Sequence, residues 1–153
     1  MRAGAITLAI DSQLDHVFLV GLAVRATCQQ AGFGDEDAAG IELCVVEAVN
    51  NCVEHAYRDE PGHRVEVELV LDGTGLRIDV RDRGRGMDWG AACARADAYA
   101  ADAEAEGGRG IFILRSLMDA VDYRRHGGAN VLSLYKRLPA PSRADEARRP
   151  GGL

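Results

Sequence analysis

Two side chains that can take part in catalysis stand four residues apart, the carboxylate of Glu47 and the amide of Asn51. Residues i and i+4 of an α-helix lie on one face, so the carboxylate can point at a reacting atom while the amide oxygen meets a hard cation. A pair at this spacing also occurs on solvated helix faces. It therefore indicates a catalytic site only in combination with other motifs.

A carboxylate followed by two glycines marks a second candidate site, in the run Asp82-Arg83-Gly84-Arg85-Gly86-Met87. The carboxylate of Asp82 can accept a hydrogen bond from an exocyclic amine. Glycines lack a Cβ and let a flat ring or a phosphate approach the backbone. This combination suits adenine, although a strand-exit turn in which Asp82 caps local amides has the same pattern.

A third motif, Gly107-Gly108-Arg109-Gly110, precedes an apolar segment at residues 111–118. If that segment is helical, its first turn presents unpaired N–H groups and the positive end of the helix dipole, which suit phosphate oxygens. A plain glycine-rich turn is the alternative. The sequence contains no GxxxxGK(S/T) motif, so a Walker-type phosphate loop is excluded.

The elements that position these motifs follow from apolar periodicity and turn residues. They occur in the order βα-α-ββ-α-ββ, with a strand at 5–10, helices at 12–32 and 35–57, a hairpin of 65–71 and 76–80, a helix at 111–118 and strands at 121–125 and 131–138. This order predicts an α+β fold with helices on one face of a mixed, mostly antiparallel sheet.

The first helix is expected to begin at Ser12, which is typical of an N-cap and is followed three residues later by Asp15. Its apolar residues recur every three or four positions and are predicted to face the core: Leu14, Val17, Phe18, Gly21, Val24 and Cys28.

The alanine-rich and acidic stretch at 88–106 has no strong apolar period and is long for a connection. We expect a mobile flap that is partly helical between residues 91 and 104. Its aromatic residues, Trp89 and Tyr99, are candidates to cover a ligand, although lone aromatics in such segments usually serve packing.

The composition indicates one globular domain at residues 1–138 and a disordered tail at 139–153, which is rich in proline, arginine and glycine. The net charge of −6 disfavours nucleic acid as a partner. No apolar run approaches the roughly 20 residues of a membrane span, so we expect a cytoplasmic protein. The four cysteines show no CxxC spacing and are expected to be reduced packing residues.

The three motifs in this order resemble the N, G1 and G2 boxes of the GHKL ATPase superfamily. The segment 47–57, EAVNNCVEHAY, is similar to the Glu-Ala-x-x-Asn-x-x-x-His-(Gly/Ala)-Tyr segment of anti-sigma serine kinases of the RsbW and SpoIIAB type, as are Gly108-Arg109-Gly110-Ile111 and Leu117-Met118-Asp119. The resemblance extends over residues 6–138. It implies a Bergerat-type two-layer sandwich that binds ATP and Mg2+.

The resemblance also implies roles for individual residues. Glu47 is the catalytic base and Asn51 the Mg2+ ligand, whereas the neighbouring Asn50 does not align with the family's asparagine. The nucleotide is bound by Asn51, Asp82, Gly84, Gly86, Met87, Gly108, Arg109 and Gly110. The acceptor is a serine of a STAS-domain anti-sigma-factor antagonist, a sigma factor is an alternative partner, and the kinase forms a homodimer through its first strand and sheet edge.

One departure from the family concerns the end of the flap, where some members carry a basic residue and this chain has Glu104 and Glu106. Negative charge there opposes a triphosphate, and Arg95 or Arg109 are candidates to replace the basic residue. A catalytically weak nucleotide-binding module that sequesters a partner is therefore the alternative function. A sensor histidine kinase is disfavoured because no phosphoacceptor helix pair precedes the core. His55 is expected to form structural hydrogen bonds rather than to transfer protons.

Overall fold

The computed structural model describes residues 4–140 as four α-helices and five strands. The elements in chain order are β1 (Gly4–Asp11), α1 (Leu14–Ala31), α2 (Asp35–Asn51), a π-helical turn (Cys52–Ala56), β2 (Arg64–Leu71), β3 (Gly75–Asp82), α3 (Trp89–Ala101), α4 (Arg109–Leu117), β4 (Ala120–His126) and β5 (Ala129–Arg137). The predicted tail at 139–153 lies almost wholly outside the described residues.

The five strands form one sheet in the order β1-β2-β3-β5-β4. Every pairing among the described residues is antiparallel. The sheet there is therefore wholly antiparallel, whereas a mixed, mostly antiparallel sheet was predicted. Tight turns account for two of the four pairings, since β2 leads directly into β3 and β4 into β5. The strand β1 forms one edge of the sheet.

The helices cover one face of the sheet, which confirms the predicted α+β sandwich. Alternate residues of β2 are buried against them, from Val65 to Leu71, and the core continues through Ile78 and Val80 of β3. This alternation with polar residues on the other face is the pattern of an antiparallel sheet with one solvated side.

The predicted buried face of α1 is confirmed at four of its six positions and is wrong at Leu14 and Phe18. Leu14 and Phe18 are 48% and 64% exposed, and the face that packs inward consists of Val17, Val20, Gly21, Val24 and Cys28. Gly21 brings α1 close to α2, because a Cβ there would lie 3.0 Å from the Val46 side chain. Periodicity locates an apolar stripe but does not show which edge of a wide stripe meets the next helix.

The α1 helix also begins one residue later than predicted. Gln13 is its N-cap residue, and the Ser12 side chain instead accepts a hydrogen bond from the backbone N–H of His63 at 3.2 Å. Ser12 therefore ties the start of α1 to the segment before β2. The predicted end is confirmed, since Gly32 closes α1 in the left-handed region with φ of 102°.

The second helix continues past Asn51 as a π-helical turn, which the sequence did not predict. The N–H of Tyr57 donates to the C=O of Cys52 at 2.9 Å, five residues back rather than four. Arg58 and Asp59 follow with positive φ of 53° and 60° and end the helix. Such turns insert one residue into a helix and often occur at functional sites.

The stretch expected to be a flap is a regular helix over most of its length. Asp88 caps α3 by accepting a hydrogen bond from the N–H of Ala91 at 3.0 Å. Ala92 and Ala96, four residues apart, are buried. An inward face made only of alanines gives a weak apolar period, which explains why the sequence favoured a flap.

Three of the four cysteines are buried free thiols, as expected for packing residues. Burial raises the pKa of the Cys28 and Cys44 thiols to about 12, so both stay protonated and apolar in character. No helix in the part of the chain that the structure describes is long and apolar enough to cross a membrane.

Candidate nucleotide-binding site

A cavity of about 670 Å3 opens between α2, the end of β3, α3 and the start of α4. Its wall contains every residue proposed from the sequence except Gly84: Glu47, Asn51, Asp82, Gly86, Met87, Gly108, Arg109 and Gly110. The fold therefore brings together three motifs that lie twenty or more positions apart along the chain. A cavity of this size is typical of small-molecule sites.

The Glu47 and Asn51 side chains meet the second glycine loop (107–110) at one place. A Cβ on Gly110 would lie 3.3 Å from Oε2 of Glu47 and 3.8 Å from Nδ2 of Asn51. The α4 helix begins at this loop, so the unpaired N–H groups of its first turn belong to the same part of the cavity wall. Carboxylate, amide oxygen and free N–H groups together suit a metal-bound phosphate chain.

Asp82 also lines the cavity and is only 8% exposed. Its Oδ1 accepts hydrogen bonds from Nδ2 of Asn130 at 2.7 Å and from the N–H of Gly84 at 2.9 Å. Its Oδ2 has no N–H or O–H donor among the described residues. The turn-capping interpretation of Asp82 is confirmed for Oδ1, and the contact of Asp82 with an amine stays a prediction.

Asn130 is the residue that the sequence did not reveal. Its Nδ2 also donates to the C=O of Gly84 at 3.0 Å, and this arrangement fixes the orientation of the amide group. Its Oδ1 is buried and has no partner in the described residues. Asn130 and Asp82 are 48 residues apart, and a lone asparagine at the start of a strand gives no signal of such a contact.

The first glycine loop (82–87) is held by the end of the second helix. The C=O of Ala56, in the π-helical turn, accepts from the N–H of Arg85 at 2.9 Å. A Cβ on Gly84 would overlap this carbonyl, so Gly84 serves a close backbone approach rather than direct contact with the cavity.

Tyr57 supports the same loop from the other side. Its hydroxyl accepts a hydrogen bond from the N–H of Arg83 at 2.7 Å and donates one to the C=O of Arg64 at 2.8 Å. Burial raises the pKa of the Tyr57 phenol, which keeps the hydroxyl neutral and able to donate. His63 stacks on the ring at a centroid distance of 4.5 Å.

The middle of the cavity is apolar. Val80, Leu132, Ile111 and Met87 line it, and the Tyr123 ring lies among them. The Tyr123 hydroxyl accepts from the N–H of Met87 at 2.8 Å, and Trp89 stacks on the ring at 5.9 Å. Trp89 and Tyr99 do not line the cavity, so both serve packing of α3.

Three arginines line the cavity, Arg85, Arg95 and Arg109, whereas the acidic residues at the end of the flap do not. Asp102, Glu104 and Glu106 are exposed and absent from the cavity wall. The expected conflict between the acidic segment and a triphosphate is therefore not found among the described residues.

Other titratable side chains also reach the cavity. His55 and Glu54 are exposed at its wall, and His55 has no hydrogen bond among the described residues, so its expected structural role is not found. The Cys52 thiol lines the cavity near Asp82. Burial and the negative charge of Asp82 both raise its pKa, which keeps the thiol neutral beside the carboxylate.

Comparison with known proteins identifies the family of this site. The model of the histidine kinase-like ATPase domain matches residues 10–136. The chain belongs to this family. The match includes all three motifs and the whole cavity, and it confirms the predicted GHKL-type fold.

The histidine kinase-like ATPase relatives most similar in sequence are serine-protein kinases. The serine-protein kinase RsbW of Listeria monocytogenes serotype 4a (strain HCC23) is 30% identical over 135 residues, which are 85% of this chain and 86% of the relative. The serine-protein kinase RsbW of Bacillus subtilis (strain 168) is 25% identical over 134 residues, 85% of this chain and 84% of the relative. The predicted resemblance to RsbW-type kinases is confirmed.

Two solved structures share the fold of this histidine kinase-like ATPase domain. The RsbU and RsbW domains of Rv1364c from Mycobacterium tuberculosis superimpose with a TM-score of 0.66 at 22% identity, over 92% of this chain. This chain spans only 34% of that longer protein. A chain of the SiaB-SiaC complex from Pseudomonas aeruginosa gives a TM-score of 0.55 at 13% identity, over 85% of this chain and 89% of its own length.

Proposed function

We propose that this protein is an ATP-dependent protein-serine kinase that acts as an anti-sigma factor in a partner-switching system. The observation that carries the proposal is the meeting of Glu47 and Asn51 with Gly110 in a cavity that the buried Asp82 also lines. A carboxylate that can accept a proton and an amide that can bind a metal thus lie beside a helix start that can bind phosphate, which supports the proposal. The RsbW relatives, which are serine-protein kinases, support the same function.

The residues present fit a bound adenine nucleotide. The free Oδ2 of Asp82 can accept from the exocyclic amine of adenine, and the apolar wall around Tyr123 can contact the ring. The first turn of α4 then receives the phosphates. Asn51 would hold Mg2+, which neutralises charge on the phosphate oxygens when it is bound.

Glu47 is the group that would take the proton of the attacking serine hydroxyl. Its Oε2 lies near Gly110, so the reacting end of the nucleotide belongs at the second glycine loop. Phosphoryl transfer passes through a loose transition state, and the protein contributes mainly position and charge. The residues of α2 and α4 therefore orient the phosphate. Glu47 would accept the proton as the bond from the serine oxygen to the γ-phosphorus forms, while the bond from that phosphorus to the bridging oxygen breaks and ADP leaves.

Nucleotide binding can be tested by calorimetric titration of the protein with ATP and with GTP in the presence of Mg2+. We expect ATP to bind and GTP to bind at least about tenfold more weakly, because guanine places a carbonyl oxygen where Asp82 requires a donor. Equal affinity for both nucleotides would show that Asp82 does not recognise the base.

The proposed acceptor is a serine of a STAS-domain antagonist in the cytoplasm, and a sigma factor is the alternative partner of the same kinase. Incubation with radiolabelled ATP and STAS-domain proteins from the same organism, followed by mapping of phosphoserine, tests the acceptor. Partner binding without any phosphorylated product would instead support a sequestering module. The exclusion of Glu104 and Glu106 from the cavity wall removes the reason to favour that module.

We also propose that the kinase is a homodimer that uses β1 and the outer face of α1. The β1 strand is a sheet edge, which presents unpaired N–H and C=O groups. Beside it, α1 exposes Leu14, Phe18 and Leu22 at positions i, i+4 and i+8, with exposed fractions of 48%, 64% and 45%. An apolar stripe next to an open edge is typical of an interface.

The variant Phe18→Asp is expected to convert the dimer into a monomer, because it places a charge in the centre of the apolar stripe. Sedimentation velocity at micromolar concentration measures the change. Leu117→Asp is the matched control: Leu117 is 38% exposed on α4, which packs against α2 and α3 rather than α1. A wild-type protein that sediments as a monomer would contradict the proposed homodimer.

A further inference from the structure

The three arginines of the cavity wall have no acidic partners. None of Arg85, Arg95 and Arg109 has a carboxylate within 4.0 Å among residues 4–140, whereas Arg81 and Arg115 form ion pairs elsewhere. Unpaired guanidinium groups at a cavity leave positive potential that attracts an anion. The three arginines come from different elements of the fold: the first glycine loop, α3 and the start of α4.

Arg85 and Arg109 lie in the two glycine loops themselves. Arg85 belongs to the first glycine loop, where its N–H is held by the C=O of Ala56 near Asp82. It therefore belongs to the same loop as Asp82, the residue proposed to bind adenine. Arg109 begins α4, where the N–H groups of the helix already serve as phosphate donors.

Arg95 comes from another element and is fixed to the second glycine loop by its backbone. Gly108 has φ of 83°, and a Cβ there would overlap the C=O of Arg95. The Cδ atom of Arg95 lies 3.7 Å from the position that a Cβ on Gly107 would occupy. Backbone and side-chain stem of Arg95 thus both pack on the loop that meets Glu47.

The contacts of α3 with α4 keep Arg95 at this place. Asp97 pairs with Arg115 at 3.1 Å, and the Tyr99 ring lies 5.2 Å from the Phe112 ring. The position of Arg95 therefore depends on the α3–α4 contact and not on the acidic residues that follow α3.

We propose that Arg95 is the cation that recognises the terminal phosphate of the nucleotide, and that it makes the site prefer ATP to ADP. The inference rests on the proposed nucleotide function, which puts the reacting phosphate beside Glu47 and the second glycine loop. Arg95 packs on that loop from α3, whereas Glu47 contacts it from α2. Its planar guanidinium can bind two phosphate oxygens at once.

The test measures the affinity for ATP and for ADP, both with Mg2+, in the wild type and in Arg95→Gln. Glutamine keeps much of the stem that packs on Gly107 but loses the charge. We expect Arg95→Gln to weaken ATP binding at least about tenfold and ADP binding less than about threefold, because only ATP carries the phosphate that Arg95 contacts. Arg95→Lys is expected to retain part of the preference for ATP.

Arg77→Gln is the matched control, because it makes the same chemical change at a half-exposed arginine of β3 that does not line the cavity. It should change both affinities equally, if at all. Equal losses for ATP and ADP in Arg95→Gln, or no loss, would overturn the role of Arg95 while leaving the kinase proposal intact. A wild type that binds neither nucleotide would contradict the proposed function itself. Melting temperatures of all variants show whether α3 stays packed.

Discussion

Glu47→Gln is expected to lower phosphoryl transfer to the acceptor serine by about 100- to 10,000-fold, the usual contribution of a general base. Glutamine has nearly the same shape but cannot take the proton of the serine hydroxyl. Because Oε2 of Glu47 lies against Gly110, the amide should still fit, and ATP should bind within about threefold of the wild-type affinity. Single-turnover transfer and calorimetric titration measure the two effects separately.

Glu42→Gln is the control for this variant. Glu42 lies on the same helix but pairs with Arg25 of α1 at 3.3 Å and does not line the cavity. Its replacement makes the same chemical change away from the site, and transfer should stay within about twofold of wild type. If Glu47→Gln transfers phosphate as fast as Glu42→Gln, Glu47 is not the base.

Asp82→Asn is expected to weaken ATP binding by about 10- to 150-fold, the loss that corresponds to one hydrogen bond to a charged group. An amide at position 82 has one acceptor oxygen, and Asn130 and the N–H of Gly84 already require it. Its NH2 group would then face the exocyclic amine of adenine, donor against donor. Calorimetric titration with ATP measures the loss.

Asp79→Asn serves as the control for Asp82→Asn, because it removes the same charge from the opposite face of β3. Asp79 is 2% exposed, accepts from Ser133 Oγ at 2.7 Å and lies 3.4 Å from a nitrogen of Arg81. This variant should lower the melting temperature and leave ATP affinity within about twofold. If Asp79→Asn and Asp82→Asn lose ATP affinity equally, the loss at Asp82 reflects stability and not contact with adenine.

The sequence predicted the parts of the fold that depend on neighbouring residues. Gly32 ends α1 because it adopts positive φ, and the turn at residues 72–75 joins β2 to β3 through local hydrogen bonds of Asp72 with Thr74 and Gly75. Glu47 and Asn51 share a helix face because they are one turn apart. These are consequences of short-range geometry, and a single sequence contains that information.

The features that the sequence did not predict depend on contacts between distant segments. Asn130 orients Asp82 from another strand, and Phe18 lies outside the core because α2 covers a different edge of the α1 stripe. The π-helical turn leaves no mark in composition, since Cys52–Ala56 has the residues of an ordinary amphipathic helix. The alanine face of α3 is small because α3 packs closely on the second glycine loop.

The π-helical turn has a consequence for how this chain tolerates changes in length. Removing one residue between Cys52 and Ala56 would restore a regular helix with good apolar periodicity. Each residue of an α-helix turns the chain by about 100° around the helix axis. The deletion would therefore rotate the Tyr57 hydroxyl away from the N–H of Arg83, and the C=O of Ala56 away from the N–H of Arg85. The structure can accommodate single substitutions in this segment by local adjustment. A one-residue deletion, in contrast, would remove the contacts between the first glycine loop, which contains Asp82, and the helix that carries Glu47.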